Sequence, residues 1–185
     1  WDNYFGVLDG TDGSVIWSKT VDCPIVEGGV MIEDIDNDGD LEAIFGNRTG
    51  QIFVRNASNG NLEWEYNIGP VGSEVNYDMY LFSYDIDDDS DLDLIVGNDY
   101  GNKHIYAFDG DSNTTMWISE ELNGFPKDVS FGDVTGDGNL NIIAATYDRV
   151  QILEADDGSK SFYYSVAGTI TTVGCADFDE DSITD

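Results

Sequence analysis

An all-β repeat architecture is predicted by three patterns that recur along the 185 residues. The acidic nonapeptide DIDNDGDLE at 34–42 returns as DIDDDSDLD at 85, DVTGDGNLN at 133 and DFDEDSITD at 177, at intervals of 51, 48 and 44 residues. Out of phase with it runs a turn that ends on an aromatic residue: LDGTDGSVIW to Trp17, RNASNGNLEW to Trp64, FDGDSNTTMW to Trp117 and LEADDGSKSF to Phe162. A short apolar run follows the first three acidic stretches: LEAIFGN from Leu41, LDLIVGN from Leu92 and LNIIAAT from Leu140. Self-similarity at such a period marks a unit that buries its apolar face only against its neighbours.

Each element of the unit reads as β. The runs from Leu41, Leu92 and Leu140 are short, rich in Ile, Leu and Val, and end at Gly or Ala, as a buried inner strand would. The aromatic motif is strand, turn, strand. Gly13, Gly60 and Gly158 hold a turn position where positive φ is expected, and Asn113, the next most tolerant residue, stands there in the third copy. A fourth strand enters each acidic loop: GGVMIED, MYLFSYD, VSFGDV and TTVGCAD. Four strands per 44–51 residues match the blade of a β-propeller, and no useful helical periodicity competes. The prediction is therefore one region over 1–185, with partial blades at 1–33 and 177–185 and repeats at 34–84, 85–132 and 133–176.

The acidic loops predict metal ligation. Oxygen ligands at positions 1, 3 and 5, a main-chain oxygen at 7 and a carboxylate at 9 can wrap a hard cation, and the size and flexibility of such a cage favour Ca2+ over magnesium. The first loop offers Asp34, Asp36, Asp38, the carbonyl of Asp40, and Glu42; the second offers Asp85, Asp87, Asp89, the carbonyl of Asp91, and Asp93. Gly39 permits the sharp turn of the first loop, and Ser90 stands in its place in the second. The third offers Asp133, Thr135, Asp137, the carbonyl of Asn139, and Asn141; with two carboxylates it is expected to bind more weakly. The fourth offers Asp177, Asp179, Asp181, the carbonyl of Ile183, and Asp185. An EF-hand would place Glu at position 12, but Phe45 stands there, within an expected strand.

The chain carries 38 acidic against 7 basic residues, a net charge of −31, yet 41% of it is hydrophobic, too apolar for a disordered acidic tail. Such a field repels phosphate, so nucleic acid and anionic membrane surfaces are poor partners. No apolar run approaches the roughly 20 residues of a spanning helix, and WDNYFGVLDG has no signal-peptide pattern. Starting without Met, the chain is expected to be a mature or excised piece of something longer. The loops hold 18 of the acidic residues; the other 20 point to a solvated acidic surface suited to high salt or the extracellular medium. Cys23 and Cys175 lack zinc or redox spacing and are either two buried thiols or one disulfide. Sequons at Asn47, Asn56 and Asn113 occur at about the frequency chance supplies, and add little to the case for secretion.

At FGDVTGDGNLNIIAAT, Phe131 to Thr146, the sequence resembles the FG-GAP repeat of integrin α-subunit propellers and of many bacterial and archaeal surface proteins. The resemblance implies a calcium-binding propeller with its metal loops on one rim. The Phe-Gly pair is intact only at Phe131 and Gly132, and the repeat's closing motif is reduced to Phe45-Gly46-Asn47, Val96-Gly97-Asn98 and Ala144-Ala145-Thr146. The turn-and-tryptophan motif is similar to the docking motif of quinoprotein-like propellers, in which a Trp packs near a neighbouring blade's turn. That likeness raises a quinone-dependent oxidoreductase as an alternative. The adjacent cysteine pair expected of one is missing, the lone His104 in NKHIYAF reads as a surface residue at a strand start, and no nucleophile triad or phosphate loop can be assembled.

The expectation is thus a non-enzymatic, calcium-stabilised propeller module, extracellular or at the cell surface, that recognises a protein or glycan ligand without inserting into membrane. Tyr77, Tyr80, Tyr100 and Tyr147 could stack on sugars, although aromatics in blades more often pack between them. Four hairpins but three inner strands leave one blade short of a strand. A longer propeller, or a strand from another chain added at the open edge, would fill it, and the second possibility makes a structural subunit of a filament or surface layer the main alternative.

Overall fold

The computed structural model describes residues 3–22, 24–69, 79–98, 103–177 and Thr184, and within them the chain forms 14 strands. Cys23, Tyr77, Tyr100, Asp179, Asp181, Ile183 and Asp185 lie outside the described residues. A two-stranded sheet, β1 (Tyr4–Leu8) with β2 (Val15–Thr20), precedes three four-stranded blades. The first blade is β3 (Ile25–Glu33), β4 (Glu42–Asn47), β5 (Gln51–Asn56) and β6 (Leu62–Asn67). The second is β7 (Met79–Tyr84), β8 (Asp93–Asn98), β9 (Ile105–Phe108) and β10 (Thr115–Ile118), and the third β11 (Asp128–Gly132), β12 (Asn141–Ala145), β13 (Arg149–Glu154) and β14 (Lys160–Ser165). In each blade the strands neighbour one another in chain order, and every pairing is antiparallel.

The predicted inner strands, with β9, are the most deeply buried elements. All residues of β4, β8 and β12 are buried, because both faces of an inner strand meet neighbouring sheets. The apolar residues collect between sheets. Ile44, Ile52 and Val54 of the first blade face Leu94, Val96, Tyr106 and Phe108 of the second. Ile95, Ile105 and Ala107 face Ile142, Ala144 and Leu153 of the third. Phe5 and Trp17 of the hairpin close over Ala43, Phe45 and Phe53, with the Phe5 and Phe45 rings stacked 3.9 Å apart.

The turns take the conformation their residues predict. Gly13, Gly60 and Gly158 have φ of 75°, 73° and 70°, and Asn113 has 57°. Two of these turns, those of Gly60 and Gly158, also receive an indole from an earlier sheet. Trp17 Nε1 donates to the Ala57 carbonyl at 2.7 Å, and Trp117 Nε1 donates to that of Ala155 at 2.8 Å. Gly60 lies so close beneath the Trp17 ring that a Cβ there would stand 2.6 Å from Cδ2. Each buried indole N–H thus finds an acceptor on the next sheet, where leaving it unpaired would be costly.

The segment TTVGCAD departs from expectation, because residues 171–177 form no strand. A strand needs a ladder partner, and among the described residues none pairs with it; its polar groups turn to side chains and isolated carbonyls instead. Thr172 Oγ1 and Val173 N–H donate to the Asp128 carboxylate, at 2.5 and 2.9 Å, and the Cys175 thiol donates to the Phe131 carbonyl at 3.1 Å.

Candidate metal centre

Each of the three described acidic loops joins the first strand of a blade to its inner strand, so residue 9 of the loop is already the first residue of the buried strand. That register carries Glu42 and Asp93 inside: each is 1% exposed. The chain turns sharply before them. Positions 4 and 6 are left-handed in all three loops: Asn37 (φ 54°) and Gly39 (93°), Asp88 (65°) and Ser90 (85°), Gly136 (73°) and Gly138 (88°). The sequence marked position 6 through Gly39; it did not mark position 4.

The geometry brings Asp34, Asp36 and Glu42 together, one oxygen of each within 4.8 Å of the others, and does the same for Asp85, Asp87 and Asp93. These are positions 1, 3 and 9 of the predicted sets. Asp38, at position 5, is exposed, and its carboxylate accepts the Asp40 N–H at 2.8 Å; Asp89 likewise accepts the Asp91 N–H at 3.0 Å. A further group, Asp87, Asp89 and Asp109, is also within 4.8 Å. Asp109 was not anticipated, since it belongs to the aromatic-turn motif. Its signal lay in the interleaving of the two series, which sets the end of the third strand beside the acidic loop.

Electrostatics single out position 9. Burial pushes the Glu42 carboxyl from an ordinary 4.5 up to about 7, against the Ile35 N–H that donates to it at 3.0 Å; Glu63, Asp36 and Asp38 raise it further. Asp93 rises from 3.8 to about 7 for the same first reason, against the Ile86 N–H at 2.8 Å and with Asp87, Asp89 and Asp109 adding repulsion. Desolvation also raises Asp36 and Asp87. In addition, Asp34 Oδ1 is buried without a hydrogen-bond partner. Buried carboxylates crowded together, with an oxygen left unsatisfied, are an unfavourable arrangement that a divalent cation would relieve. The donor set, all oxygen and mostly carboxylate, fits calcium.

The third loop is different. Asp133, Thr135, Asp137 and Asn141 are present as expected, but Asn141 Oδ1 accepts the Val134 and Thr135 N–H groups at 3.1 and 3.2 Å, and Asn141 Nδ2 donates to Glu154 at 2.9 Å. Asn139 donates its N–H to Asp137 at 2.9 Å. In the fourth loop only Asp177, among the predicted ligands, is a described residue. Of the other singled-out residues, His104 Nδ1 donates to the Ser119 carbonyl at 2.6 Å, Tyr80 is half-buried and Tyr147 is exposed.

Residues 85–144, which include the second and third acidic loops, match the FG-GAP-like repeat family. No curated protein sequence matches the chain. Among solved structures, Sqt1 of Saccharomyces cerevisiae is similar at a TM-score of 0.68 and 13% identity, over 96% of this chain and 48% of that one. The computationally designed Ika8 protein is similar at 0.67 and 11%, over 99% and 52%. BamB from Moraxella catarrhalis is similar at 0.50 and 21%, over 83% and 40%. The chain therefore spans about half the length of these structures, and at such identities the likeness shows the fold alone.

Proposed function

We propose that this chain is a calcium-stabilised β-propeller module with FG-GAP repeats, which acts at the outside of a cell as a rigid, non-enzymatic surface for recognising a protein or glycan. The observation that carries the calcium reading is the pair of position-9 carboxylates, Glu42 and Asp93, each 1% exposed and each gathered with two more carboxylates of its loop. Without a cation, those loops hold like charges at close range where water cannot screen them. With one, the loop that joins the first and inner strands of a blade is pinned at five points, so the rim it forms keeps its shape. The match of residues 85–144 to FG-GAP-like repeats supports an interaction module, and the net charge of −31 favours a cationic patch on the partner.

Thermal unfolding at fixed ionic strength, with calcium, magnesium or excess chelator, tests this reading. Free calcium at 100 times its dissociation constant adds about 2.7 kcal/mol per site, so a rise of several degrees specific to calcium is expected. Equal melting in all three solutions would leave the carboxylates as surface solvation and remove the reading's support. A second reading, a subunit of an extracellular filament or surface layer, is favoured by the hairpin sheet: β1 pairs only with β2 among the described residues, and Tyr4 and Leu8 are 56% and 59% exposed. Growth of sedimenting assemblies with concentration would support it; a monomer at all concentrations would dismiss it.

A further inference from the structure

The three described loops share left-handed positions 4 and 6 but differ in the cross-strand pair at their base, and the third has Thr135 where the first two have Asp36 and Asp87. In the first blade, Glu42 of β4 lies opposite Asn56 of β5, acid against amide. In the third, Asn141 of β12 lies opposite Glu154 of β13, amide against acid. Asp93 and Asp109 hold the same two places in the second blade, one residue beyond the Leu94–Phe108 pair, and both are acids. The exchange in the third blade has structural consequences. An amide at position 9 carries no charge to repel the carboxylates of its loop, and it offers donors where Glu42 and Asp93 offer none.

Asn141 uses both ends. Its Oδ1 takes the Val134 and Thr135 N–H groups, and its Nδ2 holds the Glu154 carboxylate at 2.9 Å, away from the loop's own carboxylates. Asp133 is equally committed. Its Oδ1 accepts the Gly136 N–H at 2.7 Å with longer bonds from Thr135 Oγ1 and the Asp137 N–H, and its Oδ2 accepts the Gly138 N–H at 2.8 Å. At the same position of the first loop, Asp34 Oδ2 accepts one N–H, from Gly39 at 3.2 Å, and the buried Oδ1 has no partner. Two glycines, Gly136 and Gly138, supply the left-handed positions of the third loop, so its shape carries no side-chain strain there.

We propose that the third loop is a cation-independent version of the first two: the exchange of acid and amide between Asn141 and Glu154 closes it by hydrogen bonds, and calcium loads the first and second loops but not the third. This rests on the calcium reading above and adds to it which loops respond. The third blade then keeps its rim loop ordered in calcium-free medium, while the loops of the first two blades loosen.

Hydrogen–deuterium exchange of the 185-residue chain, in calcium and in chelator, reads each loop separately. Calcium is expected to slow exchange about tenfold or more in peptides over 34–42 and 85–93, and by less than about twofold over 133–141, since only loops that bind the ion gain protection. Comparable slowing over 133–141 would overturn the inference and leave the calcium reading intact. No slowing anywhere would overturn both. The paired variant Asn141→Asp with Glu154→Asn sets an acid on β12 opposite an amide on β13, as Glu42 lies opposite Asn56, and gives the loop a third carboxylate; in equilibrium dialysis it is expected to bind one more calcium per chain than the unaltered protein. If it folds and gains none, Asn141 and Glu154 are not what closes the loop. If it fails to fold, the exchange experiment on the unaltered chain decides.

Discussion

Gly60 and Gly13 occupy equivalent turns and have nearly the same φ, 73° and 75°, but only Gly60 lies under an indole. A methyl at Gly13 would meet nothing within 4 Å, whereas one at Gly60 would stand 2.6 and 2.7 Å from Cδ2 and Cε3 of Trp17. Alanine at either site bears a left-handed backbone penalty of about 1–2 kcal/mol. At Gly60 the ring must also retreat, adding about 1–3 kcal/mol of overpacking and about 1 kcal/mol for the indole bond to Ala57. Gly60→Ala is therefore expected to cost about 3 kcal/mol more than Gly13→Ala, which for a chain of this length lowers the melting temperature by a further 6–12 °C or so. Circular dichroism melts of both variants in saturating calcium measure the difference, and Gly158→Ala, beneath Trp117, should behave as Gly60→Ala does. Equal losses at Gly60 and Gly13 would refute the argument that indole docking joins the sheets.

Ion-free protein should lose stability as pH rises. Glu42 and Asp93 have folded values near 7, above their ordinary 4.5 and 3.8, so the folded state binds more protons between those limits; the stability held below about pH 4 drains away by about pH 8. Denaturant titrations in chelator should show that fall, Glu42→Gln should reduce it, and saturating calcium should flatten it. Ser90 bears φ of 85° where the first and third loops have glycine, so Ser90→Gly should raise stability by about 1 kcal/mol, by release of left-handed strain; an unchanged melt would show the loop relaxes around serine. Of the three sequons, Asn47 is fully buried with its Oδ1 accepting the Thr49 and Gln51 N–H groups, whereas Asn113 is exposed at a turn tip. In a host that glycosylates secreted chains, folded product should carry glycan at Asn113 and not at Asn47, as peptide mass mapping would read.

Blade architecture was legible because its signals are periodic. Runs such as LDLIVGN are apolar on both faces, which only an inner strand tolerates, and the glycine turns recur at fixed offsets from Trp17 and Trp64. The ligand spacing likewise foretold that Asp34, Asp36 and Glu42 converge, because alternate residues of a tight loop share its concave side. What escaped was pairwise. Asp109 and Glu154 lie 16 and 13 residues beyond Asp93 and Asn141, and their bearing on the loops depends on strand register, which no single motif states. TTVGCAD reads as a strand by composition, yet a strand is made by a partner, and composition does not reveal whether one is there.

The indole contacts have a direction. Trp17 reaches Ala57, 40 residues ahead, and Trp117 reaches Ala155, 38 ahead. On a ribosome, where the chain emerges amino end first, Trp17 and Trp117 must wait undocked until the turn that receives them has been made. Shortening the chain from its carboxyl end would therefore bare a tryptophan, whereas shortening it from the amino end would bare a glycine turn and the Ala43, Phe45 and Phe53 face that the hairpin covers.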